Sequence, residues 1–231
     1  GAEAFALDLD VQDMAGLSRP GQFVMLRCWE GDDPFLMRPF SINSVDRKNG
    51  VMTLLYQVRG RGTALMSALR PGDSVAVLGP LGRGFPVREG ASRVALIGRG
   101  MGIAPLLFLA QRFQGKAAVL MGGRNKAEVF WSDFFAPAAK EVFITTDDGS
   151  AGEKGFTTAL LPTLLEKYRF DVLFTCGPDI MMRKIWEIAD KADVPCQVSL
   201  ERHMACGLGA CLSCVIDTTD GGRKKVCQDG P

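Results

Sequence analysis

The stretch LIGRGMGIAPLL, residues 96–107, marks the point where the chain changes its architecture. Its apolar start ends a predicted strand, and the residues after the glycines have the composition of a helix. Close glycines before a helix N-terminus suit a bound diphosphate, and Pro105 fits the first helical turn. Gly98, Gly100 and Gly102 do not reproduce the spacing G-x-G-x-x-G, so a tight turn without a ligand stays an alternative.

Apolar runs alternate with helical patterns from about Ser92 onward, which favours a parallel sheet with helices on both faces. TTDDGS at residues 145–150 and CGP at residues 176–178 end two further strands, where open α/β sheets bind their ligands. These three strand ends together favour a dinucleotide, although no acidic residue stands at the end of the second strand, which reads MGGRN. We predict helices over residues 104–114, 126–135, 157–168 and 178–192, the last with Met181, Ile185, Ile188 and Ala192 on one face.

Residues 3 to about 88 contain five short runs rich in β-branched and aromatic residues, separated by Gly, Pro, Asp and Asn. Strands at this spacing predict a small β-barrel, interrupted by one helix at about residues 63–69. One strand carries RPFSI, Arg38 to Ile42. An arginine beside a proline could mark nothing more than an edge strand.

Four of the seven cysteines crowd the end of the chain, at Cys206, Cys211, Cys214 and Cys227. Their spacing, C-x4-C-x2-C followed by a distant fourth cysteine, is that of plant-type [2Fe–2S] ferredoxins. Glycines and small residues between them leave backbone N–H groups free to approach the sulfides. A structural zinc site and unrelated thiols are the alternatives.

Composition excludes several classes of function. Hydrophobic residues make up 47% and charged residues 23%, which is ordinary for a globular protein, and the net charge of +1 points neither to nucleic acid nor to a membrane surface. The longest apolar stretch, MGIAPLLFLA, is far shorter than a membrane span, and no signal peptide is visible. We expect a cytoplasmic protein, since clustered cysteines in a reducing compartment more often bind metal than form disulfides.

The whole pattern resembles the ferredoxin–NADP reductase superfamily: RPFS on a strand, GRGT at Gly60–Thr63, the GRGMGIAP loop and a late CGP. With MACGLGACLSC and VCQDGP at its end, the chain looks like the iron–sulfur electron-transfer subunits of type B dihydroorotate dehydrogenases. The resemblance covers nearly the whole chain and implies an α+β multidomain protein. Its domains would be an FAD-binding Greek-key β-barrel at residues 1–89, an α/β NAD-binding domain at 90–200 and a [2Fe–2S] module at 201–231.

The resemblance also implies roles for individual residues. Arg38 would contact the FAD diphosphate, while Arg99 departs from the small residues common at its position. The implied flavin residues are Arg38, Pro39, Phe40, Ser41, Leu55, Tyr56, Gln57, Gly62 and Thr63, with a helix N-terminus at the last two. The implied dinucleotide residues are Gly98, Gly100, Gly102, Cys176 and Gly177, the last two near the contact of nicotinamide with flavin.

No residue arrangement in the sequence looks able to oxidise a carbon acid. The chain has one histidine, His203, beside the cysteines, where a packing or supporting role is the simpler interpretation, and no evident carboxylate pair. We therefore name no catalytic residue and expect the substrate chemistry on a partner chain. The resemblance implies that this partner is an FMN-containing catalytic subunit, in a heterotetramer of two plus two subunits.

The expected cofactors give a reason for the four cysteines near the end of the sequence. Nicotinamide exchanges electron pairs, an iron–sulfur cluster exchanges single electrons, and a flavin between them does both. The predicted function is electron transfer between NAD(H) and dihydroorotate dehydrogenase through FAD and a [2Fe–2S] cluster, in pyrimidine biosynthesis. A hydrogenase or sulfur reductase subunit is one rival, and a zinc module on a degenerate nucleotide-binding domain is another.

Overall fold

The computed structural model of the chain describes residues 4–129 and 131–231. It contains two compact units: one is Pro86–Leu200, and the other joins the segment up to Phe85 with Glu201–Pro231. Residues 1–3 of the expected first domain, and Phe130 inside a predicted helix, lie outside the described residues. Within the described ranges, no helix is long and apolar enough to cross a membrane.

The segment up to Phe85 forms an antiparallel sheet of five strands in the order β1-β4-β3-β2-β5. Alternate side chains of these strands form a core around the fully buried Leu26, Ile42, Met52 and Leu54. Closure of this sheet into a Greek-key barrel stays a prediction. The elements are β1 (Ala4–Asp10), α1 (Asp13–Leu17), β2 (Phe23–Arg27), β3 (Arg38–Asp46), β4 (Val51–Gln57), α2 (Arg61–Met66) and β5 (Ala76–Leu81).

Helix α2 begins two residues before the predicted start and ends three residues before the predicted end. The hydroxyl of Thr63 accepts hydrogen bonds from the N–H groups of Arg59 (2.9 Å) and Gly60 (3.1 Å). A side chain that reaches back in this way caps a helix from its third position, so Thr63 lies inside the first turn and not at its start.

Pro86–Leu200 contains a six-stranded parallel sheet in the order β11-β10-β6-β7-β8-β9, as the strand–helix alternation predicts. The chain runs outward from β6 to β9 and then returns to the other side of β6 with β10 and β11. The order therefore reverses between β6 and β10, which is where such sheets bind ligands at their carboxyl ends. The strands are β6 (Val94–Arg99), β7 (Ala117–Gly123), β8 (Glu141–Thr146), β9 (Glu153–Lys154), β10 (Val172–Cys176) and β11 (Cys196–Ser199). The helices are α3 (Ala104–Phe113), α4 (Ser132–Phe135), α5 (Thr157–Tyr168) and α6 (Asp179–Lys191).

Two helical expectations are wrong in detail. The segment 126–135 is not one helix, because Lys126–Glu128 forms a 3-10 turn and α4 begins only at Ser132. On α6 the buried side chains are Met181, Met182, Ile185 and Ala189, whereas Ala192 is exposed after the helix end. The apolar face of α6 is therefore turned by about one residue from the predicted one.

Glu201–Pro231 packs on the antiparallel sheet. It holds a short hairpin, β12 (Val215–Asp217) with β13 (Arg223–Lys225), and a final turn of helix, α7 (Val226–Asp229). The Gly207 backbone, at φ +71°, lies so close to β2 and β5 that a Cβ there would fall 2.8 Å from Cγ of Met25. The N–H of Arg83 donates to the carbonyl of Gly230 (3.1 Å). The cysteine segment and the antiparallel sheet thus form one unit.

Candidate functional site

Arg38 is held in place at the start of β3. Its guanidinium lies 5.7 Å from the centre of the Trp29 ring, and it donates a hydrogen bond to the carbonyl of Leu36. A Cβ on Gly62 would fall 3.0 Å from Nε of Arg38 and 3.2 Å from Trp29, so the backbone of α2 lies in close contact with this pair. A planar cation fixed in this way suits a diphosphate. The sequence motif did not include Trp29, which lies nine residues before Arg38 in an irregular segment.

The other predicted flavin residues lie on two neighbouring strands. Pro39, Phe40 and Ser41 continue β3, half-buried, and Phe40 meets the ring of Tyr56 edge-on with the ring centres 5.7 Å apart. Tyr56 and Leu55 are buried in β4, and burial raises the pKa of the Tyr56 phenol. These two residues therefore support the strand from the core, while Phe40, Ser41 and Gln57 keep partly exposed surface.

The glycine loop after β6 is shaped by close backbone contacts. A Cβ on Gly102 would lie 2.4 Å from the carbonyl oxygen of Cys176, and one on Gly98 would lie 2.8 Å from Cδ1 of Ile103. Gly100 has φ +53° and no atom within 4 Å of its Cβ position. The structure therefore brings the loop against the Cys176–Gly177 strand end, and leaves one side of it open to a ligand.

Arg99, the residue that departs from the superfamily pattern, is bound by an acidic side chain. Its guanidinium donates to both carboxylate oxygens of Asp147, at 3.0 Å and 2.6 Å, and lies 6.0 Å from the centre of the Phe156 ring. The pair joins the carboxyl ends of β6 and β8. Arg99 and Phe156 also line a cavity of about 280 Å³ at the starts of α5 and α6. TTDDGS is recognisable as a strand end from the sequence, but its contact with Arg99 depends on the folding of the sheet.

A larger cavity, of about 750 Å³, lies at the opposite edge of the parallel sheet. It is lined by residues 86–93 and by the residues at the starts of β10 and β11. Ligands of open α/β sheets bind at the carboxyl ends of the strands, which is the end of the sheet where the smaller cavity lies.

The four clustered cysteines meet as two pairs. The N–H of Cys211, the N–H of Leu208 (3.3 Å) and the Cys211 thiol surround the sulfur of Cys206 and lower the pKa of that thiol to about 6. Cys214 and Cys227 are buried, and the N–H of Cys227 donates to the sulfur of Cys214 (3.4 Å). Burial, and then the neighbouring Cys214, raise the pKa of Cys227 to about 11.

Two thiol pairs fit a cluster of two irons, in which each iron takes two cysteine ligands. Gly209 holds the loop close to α7: a Cβ there would lie 2.5 Å from Oε1 of Gln228, and Nζ of Lys225 donates to the Gly209 carbonyl (2.9 Å). Among the residues that the structure describes, no three acidic, histidine or cysteine side chains form a group suited to one metal ion. His203 is exposed, and its carbonyl accepts from the Ser213 hydroxyl (3.1 Å).

The cysteine pKa values predict which thiol reacts first when the cluster is removed. At pH 7 we expect iodoacetamide to alkylate Cys206 first, because the thiolate is the nucleophile and the pKa of Cys206 is about 6. The rate should fall as the pH is lowered through 6, where the thiol is protonated. Mass spectrometry of timed digests measures it, with Cys196 as the slow control because burial raises its pKa to about 11. Equal rates at both cysteines would contradict the prediction.

Comparisons with known proteins agree with this geometry. Residues 2–85 match the oxidoreductase FAD-binding domain family, and residues 201–231 match the iron–sulfur cluster binding domain of dihydroorotate dehydrogenase B. The solved structure of an NADH-dependent reduced ferredoxin-NADP oxidoreductase superposes on all of this chain and 83% of its own, with a TM-score of 0.89 at 30% identity. The fold and the sites define an iron–sulfur flavoprotein with a ferredoxin reductase-like FAD- and NAD-binding fold.

The curated relatives identify one family within this class. The electron transfer subunit of dihydroorotate dehydrogenase B (NAD(+)) from Desulforamulus reducens is 42% identical over 98% of this chain and 89% of its own. The corresponding subunit from Bacillus caldolyticus is 40% identical, over the same shares of both chains. The chain belongs to the family of dihydroorotate dehydrogenase B electron transfer subunits. The cofactors of this class, FAD, an iron–sulfur cluster and NAD(H), confirm the expected set.

Proposed function

We propose that the chain carries electrons between NAD(H) and the FMN-containing catalytic subunit of dihydroorotate dehydrogenase, in the pyrimidine pathway. One buried residue carries the proposal. Met25, which is 1% exposed, is the partner of Pro39 in the pairing of β2 with β3, and its Cγ lies 2.8 Å from where a Cβ of Gly207 would be. Met25 on β2 therefore adjoins both the strand of the candidate flavin residues and the loop of the candidate cluster ligands.

The proposal assigns FAD to the residues around β3. When bound, FAD exchanges electron pairs with a nicotinamide and single electrons with an iron–sulfur cluster. Arg38, fixed on Trp29, would bind the diphosphate, and the first turn of α2 at Gly62 and Thr63 would approach it. Pro39, Phe40 and Ser41 would line the flavin, supported by Leu55, Tyr56 and Gln57 of β4. In this proposal the antiparallel sheet closes into a Greek-key barrel at residues 1–89.

Residues 90–200 would bind NAD(H) at the carboxyl ends of the parallel strands. The open side of Gly100 accepts the diphosphate in this proposal, and Gly98 and Gly102 keep the loop compact. The strand end at Cys176 and Gly177 would lie near the nicotinamide. Thiolates of Cys206, Cys211, Cys214 and Cys227 would hold the [2Fe–2S] cluster in residues 201–231. Such a thiol cluster fits a reducing cytoplasm.

The cysteine loop would also contact the catalytic partner. Leu208 and Leu212 flank the exposed Cys211 and are 56% and 62% exposed. Exposed apolar residues in such a group mark an interaction surface. A single-electron carrier works only near its acceptor, so we place the catalytic subunit on this loop, in an assembly of two plus two subunits.

The proposal places dihydroorotate oxidation on the catalytic subunit and not on this chain, and this can be tested directly. The chain, purified with its cofactors but without its partner, should reduce a dye with NADH and should form no orotate from dihydroorotate. The reason is that the sequence has one histidine and no evident carboxylate pair to act as a base toward carbon. Spectrophotometry follows the dye and chromatography measures orotate. Orotate formed by the isolated chain would contradict the proposal.

A further inference from the structure

The residue after β7, Arg124, occupies a position that reads the nucleotide in open α/β sheets. At the end of the second strand, an acidic residue binds the ribose 2′-hydroxyl of NAD, or an arginine accommodates the 2′-phosphate of NADP. The sequence MGGRN supplies the arginine and no acid, so it leaves the preference open.

In the structure, an acidic side chain four residues after Arg124, that of Glu128, lies beside the end of β7. Nε of Arg124 donates to Oε1 of Glu128 (2.6 Å), its NH2 group lies 2.5 Å from the same oxygen, and its backbone N–H donates to Oε2 (2.8 Å). The side chain of Glu128 is 20% exposed, whereas that of Arg124 is 72% exposed. Glu128 therefore brings a carboxylate to the end of β7, and both of its oxygens bind Arg124.

The ionisation of Glu128 fits this arrangement. Burial opposes the charge, but hydrogen bonds from the side chain and backbone of Arg124 outweigh it and lower the pKa of Glu128. The carboxylate is therefore charged at neutral pH. Its neighbour Arg99 also lowers that pKa, although Asp147 already binds the Arg99 guanidinium.

Hydrogen bonds to a neighbouring loop brace the turn that carries this pair. The backbone N–H of Lys126 donates to the Ser150 hydroxyl (2.7 Å), and the N–H of Asp148 donates to the Arg124 carbonyl (3.3 Å). The turn after β7 is thus attached to the turn after β8. The braced turn keeps the Glu128 carboxylate beside the Arg124 guanidinium, where it competes with a ligand phosphate for that guanidinium.

We propose that Glu128 sets the nucleotide preference of this site, by withholding Arg124 from a 2′-phosphate and placing a negative charge where that phosphate would lie. The inference rests on the proposed NAD(H) site, and it identifies the residue that makes the site prefer a ribose with a free 2′-hydroxyl. The arginine is then a latent 2′-phosphate ligand that Glu128 holds neutralised.

The test is a comparison of Glu128→Ala with the wild-type chain. Calorimetry of the purified chain measures the binding of AMP and of adenosine 2′,5′-bisphosphate, and dye reduction measures kcat/KM for NADH and NADPH. Without Glu128, Arg124 should be able to bind a 2′-phosphate. The affinity for adenosine 2′,5′-bisphosphate and kcat/KM for NADPH should each rise about 10- to 100-fold, which corresponds to one charge-assisted hydrogen bond. An unchanged ratio between the two ligands would overturn the inference.

Two further variants make the result specific. The double variant Glu128→Ala/Arg124→Ala should lose the gain, and a gain that persists would mean that another cation, such as Lys126, binds the phosphate, which overturns the role of Arg124. Glu187→Ala removes a matched pair, since Arg183 Nε lies 3.1 Å from Glu187 on α6, and it should leave the preference unchanged. If the wild-type chain oxidises and binds neither nucleotide, the proposed function itself fails, and this inference with it.

Discussion

Cys214→Ser should abolish electron delivery to the catalytic subunit. Cys214 is 2% exposed, accepts the N–H of Cys227, and would be one of the four thiolates of the cluster. A serine oxygen is a harder ligand than thiolate and is a poor substitute in an iron–sulfur site. We expect the visible and EPR signals of the cluster to be lost or greatly weakened, and dihydroorotate-dependent reduction of NAD⁺ by the assembled subunits to fall about 100-fold or more.

The flavin should respond differently from the cluster in this variant. NADH should still bleach the flavin in a stopped-flow experiment, because Arg38 and the parallel sheet are unchanged. Cys196→Ser is the matched control, since Cys196 lies at the start of β11, outside the four clustered cysteines, and should keep the cluster and the transfer rate. A Cys214→Ser protein with its cluster spectrum and normal transfer between subunits would contradict the assignment.

Arg38→Ala should empty the flavin site. The guanidinium is positioned by Trp29 and by the approach of Gly62, and a planar fork that meets a diphosphate makes strong, charge-assisted hydrogen bonds. Its loss should weaken FAD binding about 100-fold, enough for the variant to lose its flavin during gel filtration. The ratio of flavin to protein in the eluted peak measures the effect.

Two other variants separate this role from general instability. Arg47→Ala removes an arginine at the other end of β3 that donates to the Ser18 carbonyl (2.8 Å), and it should retain flavin. Trp29→Leu should give an intermediate loss, because it removes the ring beneath the guanidinium but keeps the charge. Stoichiometric flavin in Arg38→Ala would show that the diphosphate is bound elsewhere.

Much of the fold could be predicted from the sequence, because its signals are local. The runs in residues 94–99 and 117–123 became buried central strands, and residues 157–168 became α5. The cysteine spacing needed no tertiary knowledge, since ligand chemistry alone constrains it. The prediction of one helix over residues 126–135 was wrong, because this segment combines a 3-10 turn with a separate short helix. The break between them has no distinctive residue pattern.

The residues that support the sites could not be predicted in the same way. Trp29 meets Arg38 only because the irregular segment before β3 folds back, and Asp147 meets Arg99 across the sheet. Glu128 lies one turn beyond the end of β7. The sequence rule considers only an acidic residue at the strand end itself, so it does not identify Glu128. The contact of Gly207 with Met25 joins residues far apart in the chain. Apart from the local pair of Arg124 with Glu128, these contacts depend on tertiary packing and not on spacing.

The most direct test of the account is dihydroorotate-dependent NADH formation by two purified subunits. The catalytic subunit alone should oxidise dihydroorotate with a dye but should reduce no NAD⁺. Addition of this chain, loaded with FAD and its cluster, should give orotate and NADH in equal amounts, with a rate that saturates at a one-to-one ratio of subunits. Absence of NADH from the fully loaded complex, or NAD⁺ reduction by the catalytic subunit alone, would contradict the proposed role.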